Sequence, residues 1–197
     1  YESLAKPDSV RDFGADDDTS VEYARDNNFY YVVGQDFNVP APQNNYRPLG
    51  GEAHLLSDGK FNEKPAKWTG NGSRLAKPDI NDWYETVKVN YGIRPDGSKD
   101  FPELPKDFEN KTYKDHYKFW LDKNVPSSWK KFKDIALYWT AKGVDGFRYD
   151  MAEMVPYEFW SYMNSAIKRK NKDAFLIAEV YNPNEYRNYI NLGKMDY

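Results

Sequence analysis

Two short runs, each mostly apolar and each carrying a carboxylate at or near its end, constrain this chain most. One is Gly143-Val144-Asp145-Gly146-Phe147-Arg148-Tyr149-Asp150; the other is Ala174-Phe175-Leu176-Ile177-Ala178-Glu179-Val180-Tyr181. A single helix-like segment lies between them. They therefore read as neighbouring parallel strands, 144–150 and 174–180, of a strand–helix–strand unit. Each acid then stands at the carboxyl end of its strand, where barrel enzymes keep their chemistry.

Adjacent strands lie about 4.7–4.9 Å apart, so carboxylates at two neighbouring strand tops approach to about 5 Å. Retaining glycosidases need about 5–5.5 Å, with one acid as nucleophile and the other as acid/base. Alternation puts Val144, Gly146, Arg148 and Asp150 on one face of the first strand. Arg148 then lies beside Asp150, and a guanidinium there favours the ionised carboxylate that a nucleophile requires. Phe147 and Tyr149 face the helical layer. In the second strand Phe175, Ile177 and Glu179 share a face, opposite Leu176, Ala178 and Val180. Apolar residues on both faces predict a strand buried on both sides.

These residues resemble the α-amylase family of glycoside hydrolases. Gly146-Phe147-Arg148-Tyr149-Asp150 is similar to its fourth-strand motif, and Ala178-Glu179-Val180-Tyr181 to its fifth-strand motif. Lys77-Pro78-Asp79-Ile80-Asn81 resembles a short marker of its inserted domain B. All three stand in the family's order. The resemblance implies Asp150 as nucleophile and Glu179 as general acid/base. It also implies a third carboxylate from a seventh-strand motif that this sequence lacks, as it lacks the third-strand motif. Where the family often has Lys-His after the nucleophile, Glu153 and Met154 stand here. With Arg148 and Tyr181 they are the expected substrate-binding residues. The expected fold is α/β, part of a (β/α)8 TIM barrel with an irregular inserted domain B. Residues 1–115 would be the domain-B-like insertion and 116–197 a partial barrel with strands four and five. The chain reads as an internal piece of a larger enzyme, and as incomplete, inactive and poorly stable when isolated.

The implied activity is retaining hydrolysis of α-1,4-glucosidic bonds in starch or maltodextrins. Two alternatives stand beside it: transglycosidation at the same site, and glucan binding without turnover. No cofactor is needed for the chemistry. A structural calcium is compatible with the family, and the residues that would hold a metal are unknown. The expected partner is an α-glucan oligosaccharide or polysaccharide.

Residues 1–115 are rich in turns, among them Pro40-Ala41-Pro42, Leu49-Gly50-Gly51, Ser57-Asp58-Gly59 and Asn71-Gly72-Ser73. Phe29–Val33 suggests a short strand. Asn81 or Asp82 could cap a helix through Trp83, Val87 and Tyr91. From Tyr113 the periodicity tightens: Tyr113, Tyr117, Trp120 and Leu121 share one helix face. Ser127 or Ser128 caps the next helix, with Trp129, Phe132, Ile135, Ala136 and Trp139 inward and Gly143 ending it. Pro156 suits the first turn of a helix that buries Phe159, Trp160, Met163 and Ile167. Pro183 opens a last helix through Tyr186 and Ile190.

The 197 residues carry a net charge of −3 with both signs interspersed, which gives no electrostatic case for nucleic acid. No apolar run approaches the ~18 residues of a membrane span. The absence of cysteine excludes disulfides and thiolate metal sites here and fits any compartment. A secreted or cell-envelope setting is the working expectation. Aromatics make up 17% of the chain, a richness suited to sugar stacking and equally to core packing. Asp16-Asp17-Asp18 lacks the spacing of a calcium loop and reads as a solvated acidic turn. His54 and His116 are isolated and read as satisfied or exposed side chains. Asn71-Gly72-Ser73 and Asn110-Lys111-Thr112 match the glycosylation pattern as chance matches do.

Overall fold

The computed structural model describes residues 11–41, 43 and 63–197. Pro42, the turns at Leu49-Gly50-Gly51 and Ser57-Asp58-Gly59, and His54 lie outside the described residues. Among the described residues, four strands and three α-helices run in the order β1 (Tyr31–Val32), β2 (Ala66–Lys67), α1 (Tyr113–Trp120), α2 (Ser127–Ala141), β3 (Gly146–Tyr149), α3 (Tyr157–Lys170) and β4 (Phe175–Ala178).

β3 and β4 pair in parallel, with Gly146 opposite Phe175 and Tyr149 opposite Ala178. The crossover between them is α3, so the strand–helix–strand unit forms as its pattern predicts. Both strands are shorter than 144–150 and 174–180. The ladder nevertheless continues past them, because Glu179 N–H donates to the Tyr149 carbonyl at 3.0 Å. Gly146 is obligatory: a Cβ there would land on the Phe175 carbonyl oxygen. The free edge of β4 is met by residues 195–197, where Asp196 N–H donates to the Leu176 carbonyl and Ala178 N–H to that of Tyr197, both at 2.8 Å.

Among the described residues, burial of the two strands is one-sided. Tyr149 and Leu176 are buried under the helices, whereas Phe175 is 54% exposed and Arg148 is open. On the other face Ile177 is half-buried. An α/β architecture is therefore present, with two parallel strands and helices on one side.

α3 is the central support. Pro156 precedes it, Phe159, Trp160, Met163 and Ile167 are buried as expected, and Glu158, Ser161, Asn164 and Ser165 are buried as well. α1 and α2 both pack on it. Ser127 and Ser128 do not cap α2; Pro126 stands at the N-cap and Ser128 Oγ instead donates to the Asn90 carbonyl. Gly143, at φ +93°, ends α2 as expected. In α2 Trp129 and Ala136 are buried, whereas Trp139 is 39% exposed. In α1 the buried pair is His116 and Trp120, and Leu121 is exposed.

No helix runs from Asn81 to Tyr91. Asp79 and Asp82 side chains bond nearby backbone N–H groups and hold a turn, which competes with helix. Val87 and Val89 then bridge to Thr69 and Phe29. After Pro183 the chain makes a 3-10 turn (Pro183–Glu185) and a π turn (Asn188–Leu192), which bury Tyr189 rather than Tyr186 or Ile190. One core joins the helices and β3–β4 and recruits Phe101 and Leu104; a second, smaller one gathers Tyr30, Val32, Ala66, Trp68 and Ala76.

His116 is a satisfied core histidine. Its Nε2 donates to the Phe108 carbonyl at 2.8 Å, and its Nδ1 accepts from Ser161 Oγ at 2.7 Å. Burial pushes its pKa from 6.5 down to about 4. The unfolded chain binds this proton below about 6.5 and the folded chain does not until about 4, so stability falls as pH drops through that window and levels off below it. The contribution is about 2–3 kcal/mol. His116→Gln should shrink the difference in unfolding free energy between pH 7 and pH 4 by that amount. An unchanged difference in urea titrations would contradict this.

Candidate active site

Arg148 projects from the open face of β3, and the strand ends one residue before Asp150. Met151 then takes a left-handed backbone conformation, φ 49°, uncommon for a side-chain-bearing residue. That turn aims the Met151 N–H at Glu179 Oε2, 3.2 Å away. A 3-10 turn over Ala152–Met154 follows, seated on α3 by the Trp160 indole N–H, which donates to the Ala152 carbonyl at 3.0 Å. Glu179 leaves β4 at the neighbouring strand end.

The two acids converge on one guanidinium. Arg148 donates from one nitrogen to Asp150 Oδ1 at 2.5 Å and from the other to Glu179 Oε2 at 3.1 Å. Asp150 is held below the ordinary carboxylate value, first by its hydrogen bond with the Glu179 carboxyl and then by Arg148. The Tyr181 phenol donates to Glu179 Oε1 at 3.1 Å, and that bond raises its own pKa. Glu179 thus has donors on both oxygens.

Asp150, Met151, Met154, Glu179 and Tyr181 form one wall of a cleft of about 820 Å³. The facing wall comes from residues 68–97 and includes Trp68, Arg74, Trp83, Lys88 and Arg94. Trp83 is 41% exposed and offers its ring to the cleft, whereas Trp68 is buried, stacked on Tyr30 and covered by the Arg74 guanidinium at 4.2 Å. Sequence reasoning left the aromatic lining open because residues 1–115 lack periodicity. It missed Arg74, Lys88, Arg94 and Met151, for which no motif exists.

Of the six residues singled out, Arg148, Asp150, Glu179 and Tyr181 meet, and Met154 reaches the cleft. Glu153 does not line it; its Oε2 accepts from the Tyr181 and Asn182 N–H groups, both at 2.7 Å. Asp17 accepts from the Asn28 and Phe29 N–H groups and the Tyr31 hydroxyl, which ties the acidic turn to the following segment. Among the described residues no cluster of three His, Asp or Glu is arranged to hold a metal ion. Nor is any described helix long and apolar enough to cross a membrane.

No family model matches the chain. It is similar over 89 residues, at 36% identity, to an alpha-1,4-glucan:maltose-1-phosphate maltosyltransferase of Picrophilus torridus, a match covering 45% of this chain and 14% of that protein. A protein of the same name from Cereibacter sphaeroides is 31% identical over 100 residues, 50% of this chain and 16% of its own. Neopullulanase 2 of Thermoactinomyces vulgaris is 35% identical over 48 residues, 24% of this chain and 8% of its own. The matches thus span about a seventh of the length of the maltosyltransferases. These relatives are α-amylase-family members, which agrees with the resemblance that the motifs carry.

Proposed function

We propose that the protein carrying this chain is a retaining α-glucan enzyme of the α-amylase type. In this reading β3 and β4 are the fourth and fifth strands of a (β/α)8 barrel, and residues 1–115 belong to an inserted domain B. The observation that carries it is the pair Asp150 and Glu179, at adjacent parallel strand ends, gripped by one guanidinium on a cleft wall.

Asp150, kept ionised by Arg148, attacks the anomeric carbon while the Glu179 carboxyl protonates the departing glycosidic oxygen. A glycosyl-enzyme ester forms on Asp150. Glu179, now a carboxylate, takes a proton from the incoming hydroxyl, which attacks the same carbon and frees Asp150 with net retention. A third carboxylate from elsewhere in the protein would support the charged transition state. When the incoming hydroxyl is water the outcome is hydrolysis of α-1,4 bonds; when it is a sugar hydroxyl the outcome is transfer.

Transfer from a sugar phosphate is the second reading, favoured by the relatives' names and by the facing wall. Arg74, Lys88 and Arg94 line the cleft opposite the acids. Lys88 makes no ion pair among the described residues, and burial pushes its ammonium below the ordinary lysine value. Arg74 and Arg94 are paired with Glu22 and Asp100, so Lys88 is the cation that a phosphoryl leaving group would meet there.

The experiment gives the full-length protein maltoheptaose and, separately, maltose 1-phosphate with a glucan acceptor. Products are followed by NMR for anomeric form and by colorimetry for inorganic phosphate. An α-anomer from maltoheptaose supports the hydrolytic reading, and phosphate release with chain extension supports transfer. Binding of glucan with neither product would replace both with a binding protein.

A further inference from the structure

We infer that Glu153 is a positioning residue that clamps the loop after β4 to the loop after β3 and so holds the Tyr181 phenol on Glu179. This inference rests on the reading of Glu179 as the acid/base. One oxygen of the Glu153 carboxylate is committed to the backbone. Oε2 accepts from two consecutive peptide N–H groups, Tyr181 and Asn182, at 2.7 Å each. One carboxylate oxygen taking two short charge-assisted bonds is a strong backbone anchor. The Glu153 segment is itself fixed from below, where the buried Tyr189 hydroxyl lies 2.9 Å from the carbonyls of both Glu153 and Val155. With its backbone pinned, Tyr181 reaches back to Glu179 Oε1 at 3.1 Å and lies 3.2 Å from the Met151 sulfur. Glu179 is then bracketed by Tyr181 on one oxygen and by Arg148 and the Met151 N–H on the other. The nucleophile loop and the acid loop are thereby one unit. Without the clamp, residues 181 and 182 have no anchor on the 152–154 turn, and the phenol, 60% exposed as a residue, swings into solvent.

The test uses the full-length protein, its glucan turnover, and 13C-tyrosine NMR with Tyr181 assigned by Tyr181→Phe. Glu153→Ala is expected to lower kcat roughly 10- to 100-fold with KM within about twofold, the effect of a small misplacement of a catalytic group. Glu153→Gln should stay within about threefold of wild type, because its amide oxygen still accepts both N–H groups. Glu153→Asp, too short to reach both, should behave as the alanine variant and serves if that variant does not fold. The Tyr181 phenol should titrate above about 10 in wild type and fall to that ordinary value in Glu153→Ala. A raised KM with kcat unchanged would assign Glu153 to substrate and overturn the clamp, as would an unmoved Tyr181 titration. A wild type that turns over no glucan would remove the functional reading alone, since the titration decides the clamp without turnover.

Discussion

Asp150→Asn and Glu179→Gln are each expected to lower glucan turnover by roughly 10⁴-fold, the scale of losing a nucleophile or a general acid from a concerted pair. Both substitutions keep side-chain shape and both leave a partner for Arg148. The losses should differ in one respect. A maltosyl fluoride needs no proton to release its leaving group, so Glu179→Gln should regain much of its first step on that substrate. Asp150→Asn should not, because no glycosyl-enzyme can form. The double variant should be little worse than either single one, since the two acids act as a unit. Activity within tenfold of wild type in Asp150→Asn would sink the assignment of the pair.

Trp129→Ala should cost the fold about 4 kcal/mol, equivalent to about 10 °C in Tm. Trp129 is fully buried, and its ring lies 4.9 Å from Phe101, 5.6 Å from Trp120, and 5.7 Å from both Phe159 and Tyr162. Its indole N–H donates to the Tyr91 carbonyl at 3.0 Å. Truncation therefore opens a cavity between α2 and α3 and leaves a carbonyl without its donor. Trp83→Ala, at a ring 41% exposed, is the control and should change stability by about 0.5 kcal/mol or less. Equal midpoints for the two variants in urea would refute the central place given to Trp129.

The contrast between these two tryptophans also marks what the sequence could convey. α3 and the strands beside it were legible because their apolar residues recur at spacings that only a helix or a strand explains. Arg148, Asp150 and Glu179 were legible because short-range alternation fixes which side of a strand each occupies. The helix read from Asn81 failed because Asp79 and Asp82 satisfy the backbone locally, a competition invisible to apolar spacing. Trp83, Arg74 and Lys88 reach the cleft through long-range bridges such as Thr69 to Val87, which no local pattern encodes. Glu153 was expected at the substrate from its place after Asp150; only the chain's return at Tyr181 and Asn182 reveals that one of its carboxylate oxygens is engaged by the backbone.

Apart from Tyr30, the two walls of the cleft come from separate stretches of chain, 68–97 and 150–181. The acid pair and most of the surface that faces it are thus written in different stretches of sequence. Exchange of the first stretch leaves Asp150, Glu179 and their guanidinium in place, so in the proposed reading ligand preference can change without touching the acids. The same separation makes 68–97 the stretch to exchange when the selectivity of such a site is to be redesigned.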